Sequence, residues 1–336
     1  MNVFLTGGTG LVGRHVIAAL RARGDRVRGL ARTAAAAAEL SALGAEPVDG
    51  DLTAASRLES AMAGADAVVH AAAMVLSGGS WLAWHATNVL GTELVARTAA
   101  RQRARLVHLS SVAVYGRKTT YDGGPGSVDE NFGLDRPISA GDFYARSKRE
   151  AELAVWRVAG ETGLSAVALR PCVVYGEGDR HFAPRVAWVL RRGLAPVVGP
   201  GDNQLSVVYA GNVAAAVLAA LDHRDVDGPF NVTNDGGITQ QGFLEHFAAG
   251  LGVPARWHRI PTGFARSAAR LCDAALHLIP QRVRLTRLSG TVNWLVSQNP
   301  YTSAKAEAQL GWRPAVPPGE AVERTGRSFR ARAAGS

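Results

Sequence analysis

Thr6-Gly7-Gly8-Thr9-Gly10-Leu11-Val12-Gly13 decides the fold of this chain. An apolar run from Asn2 to Leu5 leads into it, and a helical stretch from His15 to Leu20 leaves it, closed by Gly24. Strand, glycine-rich turn and helix follow in that order. In such a turn the glycines have separate tasks: a tight bend, close approach of backbone N–H groups to a pyrophosphate, and close helix–strand packing. The helix that emerges points its positive dipole end at the phosphates. Gly7, Thr9, Gly10, Leu11 and Val12 are therefore expected to touch a dinucleotide.

Working outward, a second strand over 26–32 ends in Ala31-Arg32. Units that bind NAD place an Asp or Glu about twenty residues after the glycines, to hold the ribose hydroxyls. No carboxylate stands there, and Arg32 can pair with a 2′-phosphate in the bidentate manner. NADP(H) is expected over NAD(H). The run Pro47-Val48-Asp49-Gly50-Asp51-Leu52 reads as a third strand opening into a loop, and Val68 to Ala73 as a fourth. Their loops fall at the carboxyl edge of a parallel sheet, where ligands bind. That places Asp51 and Leu52 at the adenine and Ala71, Ala72 and Ala73 along the cofactor. His70 reads as a core histidine.

Tyr144 and Lys148 stand four residues apart in a chain that writes its positive charge almost wholly as arginine: of 37 basic residues only Lys118, Lys148 and Lys305 are lysines. Four residues on a helix share a face. A cation beside a phenol favours the phenolate and lowers a pKa that is ordinarily about 10. The pair is thus expected to make Tyr144 a general acid/base, with Arg unable to replace a compact ammonium.

Together these segments resemble the extended short-chain dehydrogenase/reductases over nearly the whole chain. The match continues through Gly50-Asp51-Leu52, Ala71-Ala72-Ala73, Asn88-Val89-Leu90-Gly91-Thr92, the run Leu109 to Gly116, Tyr144-x-x-x-Lys148, and the run Leu169 to Gly176. The resemblance implies a Rossmann-type doubly wound parallel α/β sheet with a smaller C-terminal α/β substrate-binding lobe. It implies a cofactor domain over 1–175 with a return segment near 204–232, and a substrate lobe over 176–203 and 233–330. It makes Ser111 the catalytic hydroxyl, with Ser110 only its neighbour. Tyr144 is the proton donor/acceptor, Lys148 its helper and ribose ligand, and Asn88 a structural and proton-relay residue. Pro171 and Val173 cover the nicotinamide. Sugar dehydratases of this group carry Asp-Glu after the catalytic hydroxyl, where this chain has Val112-Ala113, so dehydration is not expected.

The C-terminal third is similar to the 3β-hydroxysteroid dehydrogenase and 2-alkyl-3-oxoalkanoate reductase branch, through Val197 to Gln204, Val207 to Ala214 and Leu310 to Pro314. An apolar ketone/alcohol substrate is therefore expected, with Val75, Ser77, Trp81, Val112 and Phe182 shaping its pocket and Trp84 a further candidate wall. Phe264, Ala268, Leu271, Ala275 and Leu278 recur at helical steps, which reads as a packed lid and leaves peripheral contact with a bilayer open. No run approaches the ~20 apolar residues of a spanning helix. Two other uses stay open: a nucleotide-sugar epimerase or reductase, and a non-catalytic NAD(P)-sensing protein.

Composition narrows the rest. The net charge of +9 is scattered arginine without an aromatic-interleaved basic module, so nucleic acid is not an expected partner. Cys172 and Cys272, a hundred residues apart, form no metal or redox motif. With no signal peptide ahead of the first strand, the expectation is a cytoplasmic enzyme without metal. The resemblance adds a homodimer built on the helix that carries Tyr144.

Overall fold

The computed structural model describes residues 1–75, 78–116, 124, 126–233, 235–277 and 288–333. The chain runs β1 (Asn2–Thr6), α1 (Leu11–Ala22), β2 (Arg26–Ala31), α2 (Ala34–Ala42), β3 (Glu46–Asp49), α3 (Ala55–Met62) and β4 (Ala67–His70). A helix with a π-turn inside it follows: α4 (Trp81–Trp84), the π-turn His85–Leu90, and α5 (Gly91–Arg101). Then come β5 (Arg105–Leu109), a 3-10 turn (Val112–Tyr115), α6 (Phe143–Thr162), β6 (Ala166–Pro171), β7 (Val173–Tyr175), α7 (Ala183–Arg191) and β8 (Ala195–Val198). The last third holds β9 (Val207–Tyr209), α8 (Ala210–Asp222), β10 (Gly228–Val232), α9 (Gln240–Leu251) and β11 (Trp257–Ile260). It closes with α10 (Thr262–His277), α11 (Leu288–Leu295), α12 (Ala304–Leu310) and α13 (Pro318–Ala333).

Seven strands form one parallel sheet in the order β10-β6-β5-β4-β1-β2-β3. Alternating strand and helix in sequence produces this Rossmann-type α/β architecture, because each parallel step needs a crossover helix. The order reverses beside β1, so a ligand crevice opens where β1 and β4 diverge. The central strands β4, β5 and β6 are buried on both faces, as such sheets require, while β3 at the edge is largely exposed. One face packs Val3, Leu5, Val107, Leu109, Val167 and Leu169 under α1 and α8. The other packs Phe4, Val68, Leu106 and Ala166 under α3, α5 and α6.

The turn after β1 leaves no room for side chains. Gly7 has φ +74°, and a Cβ there would lie 2.6 Å from the Ala72 nitrogen; at Gly13 it would lie 2.2 Å from the Gly7 carbonyl oxygen. Tyr175, Phe243, Phe247 and Leu251 build a separate core under α7, α9 and α13.

Helix α10 corrects one expectation. Its apolar stripe does not face inward: Phe264 is 69% and Leu271 72% exposed, while Ala265 and Ala269 are buried. Small residues let this helix approach the body closely, and the large ones are left outside. Among the described residues no helix is long and apolar enough to cross a membrane. Ser77 and Leu278 lie outside the described residues.

Candidate active site

At the carboxyl edge of the sheet the end of β1 meets the start of α1. Gly10 N-caps α1 without a side-chain hydrogen bond, and no acidic residue occupies its first turn. The first N–H groups of a helix have no partner within it, so this end is suited to an anion. Leu11 and Val12 supply those groups, and Thr9 holds the turn through its carbonyl, which accepts from Arg14 Nε at 3.3 Å. Ala71 and Ala72 back the turn: Ala71 N donates to the Thr6 carbonyl, and Ala72 N donates to Thr6 Oγ1 at 3.2 Å. Ala73 follows them on the same loop, partly exposed.

Arg32 is exposed at the end of β2. Its charge acts on Asp51, whose carboxyl is held below its usual range mainly by hydrogen bonds from the Thr53 hydroxyl and N–H. Leu52 is buried beside Gly91 of α5. A glycine turn without space for side chains and an uncapped helix end fit the pyrophosphate of a nicotinamide dinucleotide.

The reacting side chains converge from β5 and α6. Ser111 ends β5 and N-caps the 3-10 turn, its Oγ accepting from Ala113 N at 3.2 Å. Its hydroxyl acts on the Tyr144 phenol and favours the ionised form. Asp142 N-caps α6 and accepts from Ala145 N at 3.1 Å, which starts the helix immediately before Tyr144. Trp84 stands edge-on to the Tyr144 ring, with centroids 6.5 Å apart. Lys148 is only 4% exposed, and its ammonium donates to the Leu109 carbonyl.

The electrostatics differ from the expectation drawn from the helix spacing. Burial pushes the Tyr144 phenol up, and Asp142 adds to that; the Ser111 hydrogen bond pulls the other way. Lys148 is not among the groups that shift the phenol. Lys148 is itself brought down to about 8 by burial, against the opposing field of Glu152.

Asn88 lies in the π-turn, a distortion common at functional sites. Its Oδ1 accepts from Met74 N at 2.7 Å, and its Nδ2 donates to Met74 O at 3.2 Å and Ser147 Oγ at 2.9 Å. It clamps the loop after β4 to α6. The Asn88 carbonyl accepts the Thr92 hydroxyl at 2.6 Å.

Pro171 is buried at the end of β6, and Val173 is 36% exposed on β7. Of the expected pocket residues, Val112 follows Ser111 and is half-buried, and Val75 is 43% exposed on the loop after β4. Trp81 is engaged elsewhere: the Arg146 guanidinium lies 3.7 Å from its ring centroid, and Phe143 packs against it at 5.8 Å. Phe182 packs on Phe243 and Trp294 at 5.6 and 5.9 Å, inside the core under α7.

Sequence reasoning missed a polar layer behind these groups. Buried His70 lies between the Thr6 and Thr92 hydroxyls at 2.7 and 2.9 Å and stacks on His108 at 5.4 Å. His70 is held down to about 3 by burial and then by Lys148, and His108 is lowered by the same two causes. Glu152 and Arg170 form a buried ion pair beside them. Their signal was a charged residue in the otherwise apolar Ala166–Pro171 run, and a carboxylate one turn after Lys148.

Fold and site together define a nicotinamide-dependent oxidoreductase built on the Rossmann plan. A model of the NAD dependent epimerase/dehydratase family matches residues 3–234, and the chain belongs to that family. It is 32% identical over 314 residues, 93% of this chain and 92% of the relative, to a 4-hydroxy-2-methyl-3-oxo-4-farnesyl-3,4-dihydroquinoline-1-oxide ketoreductase of Stigmatella aurantiaca. It is 28% identical over 330 residues, 96% and 98% of the two chains, to a 2-alkyl-3-oxoalkanoate reductase of Stenotrophomonas maltophilia. Among solved structures, a UDP-glucose 4-epimerase of Thermotoga maritima superposes with a TM-score of 0.75 at 21% identity, covering 99% of this chain and 100% of the other. That last likeness is one of fold.

Proposed function

We propose that this protein is an NADP(H)-dependent ketoreductase acting on an apolar 3-oxo compound. The observation that carries the reading is the convergence of Ser111, whose hydroxyl acts on the Tyr144 phenol, with Tyr144 and with buried Lys148 one turn along the same helix. NADPH supplies the hydride to the carbonyl carbon. The developing oxyanion needs preorganised donors, and the Ser111 and Tyr144 hydroxyls supply them. Tyr144 then gives its proton to the carbonyl oxygen. A phenol that burial keeps protonated suits this direction, because an alkoxide is the stronger base. Lys148 stabilises the phenolate that forms and holds the ribose, while Asn88 positions α6. Gly7 to Val12, Asp51, Leu52, Ala71 to Ala73, Pro171 and Val173 line the cofactor, and Arg32 takes its 2′-phosphate.

The names of the two relatives support the proposed substrate class. Each names a 3-oxo group together with an alkyl or farnesyl substituent. Val75 and Val112 stand nearest Ser111 and the loop after β4, and they offer the apolar walls. The division into a cofactor domain and a substrate lobe over 176–203 and 233–330 belongs to the same reading. So does a homodimer, for which Leu90 and Leu153 stand half exposed on the helices around the π-turn and α6. Cys172 and Cys272 are not joined in a disulfide, and Cys172 Sγ donates to the Thr233 carbonyl at 3.5 Å.

The test is nicotinamide absorbance with NADPH or NADH against a 2-alkyl-3-oxoalkanoate, a 3-oxosteroid and a UDP-sugar. Oxidation of NADPH by the first or second, absent in Tyr144→Phe, is the expected result. Turnover of the UDP-sugar alone would overturn it.

A further inference from the structure

The hydride chemistry leaves unused a set of charges directly behind the reacting groups. Glu152 follows Lys148 by one turn of α6 and is wholly buried. Arg170 Nε donates to both of its oxygens at 3.1 Å, and Arg170 NH2 donates again to Oε1. Ser110 Oγ donates to Oε2 at 2.5 Å and Trp156 Nε1 to Oε1 at 3.2 Å. Arg170 NH1 donates to the Tyr115 hydroxyl at 2.7 Å, which donates to Asn231 Oδ1 at 2.8 Å. The carboxylate is thus held from β5, from β6 and from its own helix.

Lys148 needs such a neighbour. Below it, β4 and β5 present His70 and His108, neutral rings that offer the ammonium no counter-charge. On α6 itself Tyr144 and Glu152 flank it one turn to either side, and β6 contributes Arg170, which faces Glu152. Among the described residues its one direct bond is to the neutral Leu109 carbonyl. Burial without an opposite charge drives an amine to its free base.

We infer that Glu152 is a positioning residue acting through Lys148: anchored by Arg170 and Ser110, it keeps the buried side chain an ammonium one turn from Tyr144. This rests on the reading that Lys148 assists Tyr144. The alternative is an ion pair with a packing role only, which well-packed apolar residues could replace.

The two accounts separate in a titration. Only three lysines exist in the chain, so in protein labelled with 13C-lysine the Lys148 resonance can be followed directly through pH. Glu152→Gln keeps the amide oxygen as an acceptor and removes the charge. The expected result is a Lys148 midpoint lower by about one pH unit. The high-pH limb of kcat/KM for NADPH-dependent ketone reduction should move down with it. Lys305, on which Glu130 and Arg170 act but not Glu152, is the internal control. Glu152→Asp should restore the midpoint toward the native value. If Glu152→Gln does not fold, the double substitution Glu152→Leu with Arg170→Met removes both charges and should lower the midpoint likewise. An unchanged Lys148 midpoint in any folded charge-removing variant would overturn the inference. The titration reads the charge coupling even if no ketone is reduced, so failure of the functional proposal is recognised separately.

Discussion

Ser110 Oγ donates to the Glu152 carboxylate at 2.5 Å, and this single contact ties the strand that ends in Ser111 to the helix that carries Tyr144 and Lys148. Two adjacent serines therefore do different work. Ser110 turns into the protein, Ser111 toward Tyr144. Ser110→Ala should cost about 1–3 kcal/mol of stability, the penalty for leaving a buried acceptor short of a donor, with turnover largely kept. Ser111→Ala should lower kcat by about 10²–10³ with little loss of stability. Urea unfolding beside steady-state reduction checks both.

Tyr144→Phe removes one hydroxyl and leaves the Trp84 contact in place. The expected loss in kcat is about 10²–10⁴. NADPH affinity, measured by fluorescence titration, should stay within a factor of two or so, since the ring does not contribute charge to the phosphate site.

The proposed preference for NADP(H) rests on Arg32. A charge-assisted hydrogen bond contributes about 1.5–3 kcal/mol, so Arg32→Ala should weaken kcat/KM for NADPH by about ten- to a hundredfold and leave NADH nearly unchanged. Adding Ala31→Asp, which places a carboxylate at the ribose hydroxyls, should then raise the NADH value. Equal losses with both cofactors would show that Arg32 supports the loop and not the phosphate.

The two stacked histidines make the fold acid-sensitive. His70 is depressed from 6.5 to about 3, so below pH 6.5 the unfolded chain takes up a proton that the folded chain refuses. Stability is then present in full above 6.5 and is lost as pH falls toward 3. Between pH 7 and 5 His70 should remove about 2 kcal/mol, and His108 acts in the same direction. Both ring nitrogens of His108 are buried without a hydrogen-bond partner. His108→Leu should therefore reduce the acid loss by about half, while costing little at pH 7. Thermal unfolding at the two pH values measures the difference.

Phe264 and Leu271 stand outside on α10, so replacing both by Ser should change stability by no more than about 0.5 kcal/mol per site. Ala265→Leu, by contrast, should overpack the contact beneath the helix and cost about 1–3 kcal/mol. Reversal of these two results would mean the helix turns its large side chains inward in solution.

Much of this protein was legible before folding, and the reason is locality. Gly7 and Gly13 leave no room for a Cβ against the backbone, and both lie within one seven-residue stretch. Tyr144 and Lys148 lie on one helical face because 3.6 residues make a turn. The alternation of apolar runs and helical stretches announces a parallel sheet for the same reason. Periodicity also found α10, but not which side of it would be buried: that choice belongs to the surface beneath, which accepts Ala265 and Ala269 and not Phe264. The burial of Lys148, the raised Tyr144 phenol, the stacking of His70 on His108 and the pairing of Glu152 with Arg170 came from tertiary structure alone. Each depends on β4, β5 and β6 lying side by side under α6, and residues 18 to 39 apart in sequence become neighbours only there. Sequence by itself determined which groups could react; their electrostatics were decided by what the folded sheet buried around them, because removing water from a charge depends on every neighbour at once.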